Sequence, residues 1–270
     1  MRVVTWNLWW RFGPWAERQP AIEAELRACG PDVALLQEVW ADDDADQAEQ
    51  LAAACGMHVL RTRRQDGDPQ HFGNAVLSRH PLTELESITL SGEDGRPSHR
   101  SALAARVDAG TGPWVVIVTH LAWQYDKSEL RQRQLAEVVA LARRHGAGDD
   151  EGPPVLLGGD FNATPESDEI RRLTGLAPVY EPGLVFTDCW AAVGEGPGHT
   201  WVRDNPNSAD ALWPRRRLDY LFVAWPRPKP LGNPLAAELI GVVAHDGVVG
   251  SDHYGVLATF DTRPGLEEQR

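Results

Sequence analysis

The chain has 270 residues, 42% apolar and 24% charged, an ordinary globular composition with room for one sizeable domain. Asp and Glu outnumber Lys and Arg by 39 to 26, and the formal charge of −13 argues against a general binder of long nucleic acids, which are held by phosphate neutralisation, but leaves room for one phosphate group in a locally positive pocket. Cys29, Cys55 and Cys189 form no CxxC pair and read as reduced thiols, no signal peptide precedes the first strand, and no apolar run reaches the roughly 18 residues of a membrane span, so a cytoplasmic protein without stable membrane insertion is expected.

Residues 2–8, RVVTWNL, predict a first strand with Asn7 at its end, followed by an aromatic loop holding Trp9, Trp10, Phe12 and Trp15. A helix is expected from about Pro20, because Ile22, Leu26 and Cys29 share one face; Gly30-Pro31 ends it. Residues 32–39, DVALLQEV, form a nearly continuous apolar strand, the pattern of a strand covered on both faces, and it stops at Gln37-Glu38. Residues 45–55 read as a helix, and strands at 57–63 and 73–78 flank a polar stretch, 64–71. Strands at 85–91 and 100–108 continue a β-rich middle. The apolar strand 114–118 ends in Thr119-His120-Leu121, and 128–145 is the clearest helix, with Leu135, Val138, Val139 and Ala142 on one face.

Residues 154–165, PVLLGGDFNATP, read as a short buried strand that runs through two glycines into Asp160, Phe161 and Asn162. In an extended chain Asp160 and Asn162 point to one side and Phe161 turns back into protein. Gly158 and Gly159 let another group approach the backbone closely, and Pro165 opens a helix through Ile170. Residues 175–215 read as long loops with a short helix at 187–192. Residues 217–223 return to strand with Asp219 inside an apolar run, and 226–234, with four prolines, must be loop. Strands at 237–244 and 255–261 are separated by Gly250-Ser251-Asp252-His253. The tail from Arg263 is expected to fray, leaving one domain over 1–262.

Strands outnumber helices and arrive in runs, the pattern of an α/β sandwich with mixed sheets. Candidate polar groups recur at strand ends, where ligand sites of α/β sheets lie: Asn7, Glu38, His120, Asp160 with Asn162, Asp219, and Asp252 with His253. Oxygen donors without nearby cysteine favour Mg2+ or Mn2+ over zinc, and Glu38 suffices as chief ligand. His253 beside Asp252, with Asp219 in an apolar strand, suggests an acid–base pair. Only His120 and His253 among nine histidines sit beside other candidates; the rest, His71 included, read as surface or loop residues.

Seven segments carry a family resemblance, in order along nearly the whole chain: TWNLW at 5–9, LQEV at 36–39, GNAVLSR at 73–79, THL at 119–121, GGDFN at 158–162, RLDYLF at 217–222 and GSDH at 250–253. The chain resembles the endonuclease/exonuclease/phosphatase superfamily of metal-dependent phosphoesterases, the group of deoxyribonuclease I, apurinic endonucleases, neutral sphingomyelinases and inositol polyphosphate 5-phosphatases. The resemblance implies a four-layer α/β sandwich, two mixed β-sheets packed face to face with helices outside, and a site at one edge. It implies that Glu38 holds Mg2+ with Asn7 close by, and that Asp160 and Asn162 position the attacking water and the scissile phosphate. Asp219 would orient His253, and Asp252 would help hold His253 or a metal. His120 would bind the phosphate or protonate the leaving oxygen. Whether Asp160 or His253 takes the water's proton stays open. Asn74 and Arg100 are candidates for further phosphate contacts.

Trp9, Trp10, Trp40 and Trp123 flank three of these loops, and Trp9 and Trp123 are the candidates for substrate contact, by stacking a nucleobase or lining an apolar slot. Arg215, Arg216 and Arg217 supply local positive charge. The acidic total and the DDDAD run at 42–46 speak against long duplex DNA. The expectation is a monomeric, Mg2+-dependent phosphodiesterase for a small or short ester: a nucleotide, a short nucleic acid or a lipid headgroup. A DNA or RNA nuclease is the alternative, and a non-catalytic scaffold stands behind it.

Overall fold

The computed structural model describes residues 1–62, 71–149, 151–210 and 213–264. Its elements are β1 (Arg2–Asn7), α1 (Trp15–Cys29), β2 (Val33–Ala41), α2 (Gln47–Cys55), β3 (His58–Arg61), β4 (His71–Ser78), β5 (Leu82–Ser91), β6 (Pro97–Ala109), β7 (Gly112–His120), α3 (Ser128–Arg144), β8 (Leu156–Asp160), α4 (Asp168–Leu173), β9 (Val185–Asp188), α5 (Cys189–Val193), β10 (Asp219–Trp225), β11 (Pro234–Ile240) and β12 (Gly255–Phe260). The strands form two six-stranded sheets, β11-β12-β1-β2-β4-β3 and β5-β6-β7-β8-β10-β9. Each sheet has one central parallel pair, β1 with β2 and β7 with β8; the other pairings are antiparallel.

Period-2 alternation builds the layers. In β1, Val3 points between the sheets, where it meets Leu35, Leu103, Val116 and Leu221. Val4 and Trp6 point the other way, onto Ile22 and Leu26 of α1 and Leu51 of α2. On the far side, Leu135, Val138 and Ile170 of α3 and α4 cover Ile117, Leu157 and Phe222 of the second sheet. Helices, sheet, sheet and helices are the four layers expected. Because both faces of the central strands are covered, those strands carry unbroken apolar runs.

The topology places one edge of the sandwich under most of the polar strand ends. The parallel pairs end there together, with Asn7 opposite Gln37 and His120 opposite Asp160. Antiparallel β10 begins at the same edge, so Asp219 lies opposite Asp160.

Several elements differ from the sequence reading. Helix α1 begins at Trp15, not near Pro20. Pro20 removes a single backbone donor, and burial of Arg18, Ala21, Ile22 and Leu26 carries the helix through it. Strand β2 does not stop at Glu38: it bulges there and runs on to Ala41. Of the apolar piece at 184–186, Val185 and Phe186 open a strand, β9, because β10 offers them a free edge. Strand β11 is shifted from 237–244 to Pro234–Ile240, since Gly241 turns the chain (φ 71°) over Trp6, where a β-carbon would sit 2.7 Å from the indole. His71 is buried inside β4 rather than lying in a loop. Residues 63–70 of the polar stretch and 265–270 of the tail lie outside the described residues.

Candidate active site

Asp160 is the meeting point of the two sheets. Its Oδ2 accepts a 3.0 Å hydrogen bond from the amide of Asn7 at the end of β1, and its Oδ1 accepts from the backbone N–H of Asn162 at 2.9 Å. The second bond closes an Asx turn, which holds Asn162 at φ 49°, a left-handed conformation that asparagine tolerates better than most residues. Asn162 then donates to the Leu121 carbonyl and lies 3.2 Å from His120 Nε2. Phe161 turns back into the core, edge-on to Tyr220 and Phe222. The two glycines serve packing between strands and sheets. A β-carbon on Gly159 would lie 2.0 Å from the Thr119 carbonyl oxygen, and one on Gly158 would strike Leu35 of the facing sheet.

His253 Nδ1 lies 2.9 Å from Asp219 Oδ2, both groups buried, and His253 Nε2 lies 4.0 Å from Asp160. The backbone N–H of Asp219 donates to Thr200 Oγ1. Ser251 donates to the Asn7 carbonyl at 2.6 Å and accepts from the His253 N–H, so the 250s loop is tied to the end of β1. Burial alone would push the imidazole down, but Asp219, Asp252 and Asp160 outweigh it and hold His253 protonated, well above its ordinary range. Burial and then Asp219 push Asp160 up to about 6.

His120 is the opposite case. Burial, then Arg100 and His253, depress it well below the ordinary range, and it sits neutral with Arg100 Nη1 2.7 Å from its Nδ1. Arg100, not His120, carries the positive charge on that side. Glu38 stands in the β2 bulge, where Gln37 and Glu38 together face Asn74; the bulge turns it out of the ladder at φ 53°. Among the described residues no donor hydrogen-bonds its carboxylate, which is 14% exposed. Burial, then the neighbouring Asp252 carboxylate, raises it to about 7.

These groups line one cleft of about 370 Å³. Ten of the twelve residues singled out in the sequence meet there: Asn7, Trp9, Glu38, Arg100, His120, Trp123, Asp160, Asn162, Asp252 and His253. Asp219 stands behind His253. Asn74 does not line the cleft, because its amide is spent on the carbonyl and hydroxyl of Ser101, a tie between the sheets. Trp40 is buried against Trp15 and Arg11. Phe12 and Phe72 complete the wall; Phe72 gave no signal because it follows a polar stretch.

Arg18 was also not singled out. It is 1% exposed, and its guanidinium donates to the carbonyls of Leu8, Trp9, Trp10, Phe12 and Gly250. It thereby fastens the loop after β1, which holds Trp9 (φ 59°) and Trp10 (φ 36°) in left-handed conformations, to the loop that carries Asp252 and His253. On a helix an arginine reads as a solvent-facing charge, so the sequence pattern hid it.

The site can hold a hard divalent cation. Asp252 is close enough to raise Glu38, and among the described residues Glu38 takes no hydrogen bond; paired oxygen donors of this kind suit Mg2+ or Mn2+. Asp160, Asp219 and His253 also fall within 4.8 Å of one another, but the carboxylate–imidazole contact already occupies Nδ1 and one oxygen of Asp219. The Glu38 side of the cleft therefore leaves its carboxylate oxygens freer to take a cation.

The endonuclease/exonuclease/phosphatase family model matches residues 4–253. Among curated relatives, the inositol phosphosphingolipids phospholipase C of Schizosaccharomyces pombe is 26% identical over 208 residues, 72% of this chain and 46% of that protein. Protein angel of Drosophila melanogaster is 25% identical over 174 residues, 61% of this chain and 48% of that protein. The chain thus spans about half the length of the curated relatives it matches. Among solved structures, an endonuclease/exonuclease/phosphatase from Beutenbergia cavernae aligns over 96% of this chain and 70% of its own, with a TM-score of 0.68 and 25% identity. The D. rerio TDP2 complexed with single strand DNA product aligns over 97% of this chain and 98% of its own at TM-score 0.74 and 22% identity, a likeness of fold. Among the described residues no helix is long and apolar enough to cross a membrane. Matched from the first strand to His253, this chain belongs to the endonuclease/exonuclease/phosphatase family, whose members are hydrolytic phosphoesterases and nucleases that use divalent metal ions.

Proposed function

We propose that this chain is a Mg2+-dependent phosphodiesterase acting on a small or short ester. The observation that carries the reading is the convergence, in one cleft, of a charged His253–Asp219 pair, a fixed Asp160 carboxylate and the Arg100 guanidinium beside an unbonded Glu38. Glu38, with Asp252 beside it, would hold the divalent ion, which supplies positive charge against the phosphate oxygens. Asn7 and the Asn162 N–H fix Asp160 so that its carboxylate orients a water for attack on phosphorus. Held near 6, Asp160 can take that water's proton as the new P–O bond forms and the ester oxygen leaves. His253 is already protonated, so its Nε2 donates to a phosphate oxygen and offsets the charge that develops there. Arg100 and Asn162 add donors on the other side, with neutral His120 orienting Arg100.

The cleft volume and its rim of Trp9, Phe12, Phe72 and Trp123 suit a short group with an apolar or aromatic part. The net charge of −13 disfavours long duplex DNA. The test is turnover of bis-p-nitrophenyl phosphate at neutral pH with Mg2+. Turnover is expected, faster than for the monoester p-nitrophenyl phosphate, and lost with EDTA, in Glu38→Ala and in His253→Ala. Full activity in EDTA refutes the metal dependence, and rapid nicking of plasmid DNA shifts the reading to a nuclease.

A further inference from the structure

We propose that Tyr125, Trp213 and Arg216 form a stacking subsite for an unpaired nucleobase of a short single-stranded oligonucleotide whose scissile phosphate lies in the cleft. The inference rests on the phosphodiesterase reading and names its substrate class. The rings of Tyr125 and Trp213 lie with centroids 4.0 Å apart and planes 31° apart, and each residue is 45% exposed. The Arg216 guanidinium sits 4.4 Å from the Tyr125 centroid and 5.1 Å from that of Trp213.

The cluster is fastened to the catalytic edge from two directions. On one side, Leu121 donates to the Asp160 carbonyl, Trp123 lines the cleft, and Arg131 holds the Gln124 carbonyl at 2.6 Å, which leaves Tyr125 at the rim. On the other, Arg216 exchanges both backbone hydrogen bonds with Trp201, and Trp201 in turn bridges to His253. Trp123, itself 57% exposed and lining the cleft, lies two residues before Tyr125 in the same loop.

The chemistry of the patch selects its occupant. Of the three consecutive arginines, Arg215 pairs with Asp204 and Arg217 with buried Asp188. Arg216 has no carboxylate partner among the described residues and lies against two aromatic rings. In a chain of net charge −13, an arginine without a counter-ion among the described residues, beside half-exposed rings, suits a flat aromatic group attached to a phosphate. Every base has a π-face, so the subsite requires a base without choosing among them.

The test compares the 270-residue chain with Trp213→Ala and Arg216→Gln on two esters at saturating Mg2+. Bis-p-nitrophenyl phosphate carries no nucleobase to stack on the patch; single-stranded pentathymidylate carries five. Each variant is expected to raise KM for the oligonucleotide roughly 5- to 100-fold, with kcat within about twofold. Kinetics on the small ester should stay unchanged, and an abasic residue in the oligonucleotide should reproduce the KM rise in the parent chain. An oligonucleotide KM unchanged in both variants overturns the subsite while turnover of the small ester still supports the phosphodiesterase. An equal loss on both esters also overturns it, as does sphingomyelin-vesicle hydrolysis that responds to Trp213→Ala when the oligonucleotide does not. Should the parent chain cleave neither ester, the phosphodiesterase reading fails, and anisotropy of labelled pentathymidylate decides the subsite: binding lost in Trp213→Ala supports it, and no binding overturns it.

Discussion

Replacing Arg18 by Met should destabilise the protein by about 2–6 kcal/mol. The guanidinium divides its bonds between two nitrogens. Nη1 serves the buried carbonyls of Leu8 and Gly250 at 2.8 and 2.7 Å; Nη2 serves Trp9, Trp10 and Phe12 at 2.9–3.0 Å in a partly open setting. The latter three carbonyls can recover water. The two buried acceptors cannot, and each left unpaired costs about 1–3 kcal/mol. Burial pushes Arg18 down to about 10, with Asp252 and Glu38 opposing, so the group is still a cation at neutral pH and its removal also leaves those acids less compensated. Urea unfolding followed by tryptophan fluorescence measures the loss. Arg18→Lys should fall between the parent and Arg18→Met, since three ammonium donors cannot serve all five carbonyls. The same variants should raise KM for bis-p-nitrophenyl phosphate, because Trp9 and Phe12 are released with their carbonyls. A midpoint for Arg18→Met within about 0.5 kcal/mol of the parent would refute the argument that this side chain fastens the two loops.

Three further outcomes are expected. In metal-free protein Glu38 holds its proton up to about 7 against an ordinary 4.5, so between these values the folded state keeps a proton that the unfolded state has lost, and stability falls as pH rises through that window and then levels. Glu38→Gln cannot titrate, and should therefore exceed the parent by about 3 kcal/mol at pH 8 and match it at pH 4, a gap that saturating Mg2+ closes; urea midpoints at the two pH values without a difference would refute it. Asp219→Asn should lower turnover of bis-p-nitrophenyl phosphate by about 10²–10⁴ and bring the His253 imidazole, followed by NMR titration, down in pKa; a loss under about threefold would detach Asp219 from the chemistry. Gly159→Ala forces a β-carbon to 2.0 Å from the Thr119 carbonyl oxygen, which requires β7 and β8 to separate, and should cost at least about 3 kcal/mol in thermal or urea unfolding.

The fold was legible because its central strands are covered on both faces, so their apolar runs stand out against the polar residues that end them. Reading along one strand could not show pairing. Glu38 reads as a strand tip since an apolar run stops there, whereas β2 continues, and its bulge exists only through the register with β4. Gly158 and Gly159 read as points of close approach to the backbone, as they are, but the approaching groups, Leu35 of the facing sheet and the backbone of β7, are not adjacent in sequence and could not be named from it. Asn74 sits in a matching motif, yet its partner is Ser101 of the other sheet. The role of Arg18 and the ring contacts of Arg216, which reads in sequence only as local positive charge, are hidden for one reason: whether an arginine is solvated, buried under carbonyls or laid on rings depends on loops that arrive from more than 80 residues away.

The charge of the whole chain and the charge of its cleft are separate quantities. The total of −13 is spread over surface Asp and Glu, many of them already paired with arginine. At the catalytic edge, four carboxylates (Glu38, Asp160, Asp219 and Asp252) face three cations, Arg18, Arg100 and protonated His253, with His120 neutral. Fully ionised, that edge carries one net negative charge, too little to exclude an anion once a divalent ion is bound. With a divalent ion held by Glu38 and Asp252 the balance would be one positive charge, which a diester monoanion would cancel and a monoester dianion would overshoot. In a site this desolvated an unbalanced charge is costly, so the count favours diesters. On the proposed reading that preference would come from the buried groups alone, and the surface charge would govern only how long a polyanion the protein can approach.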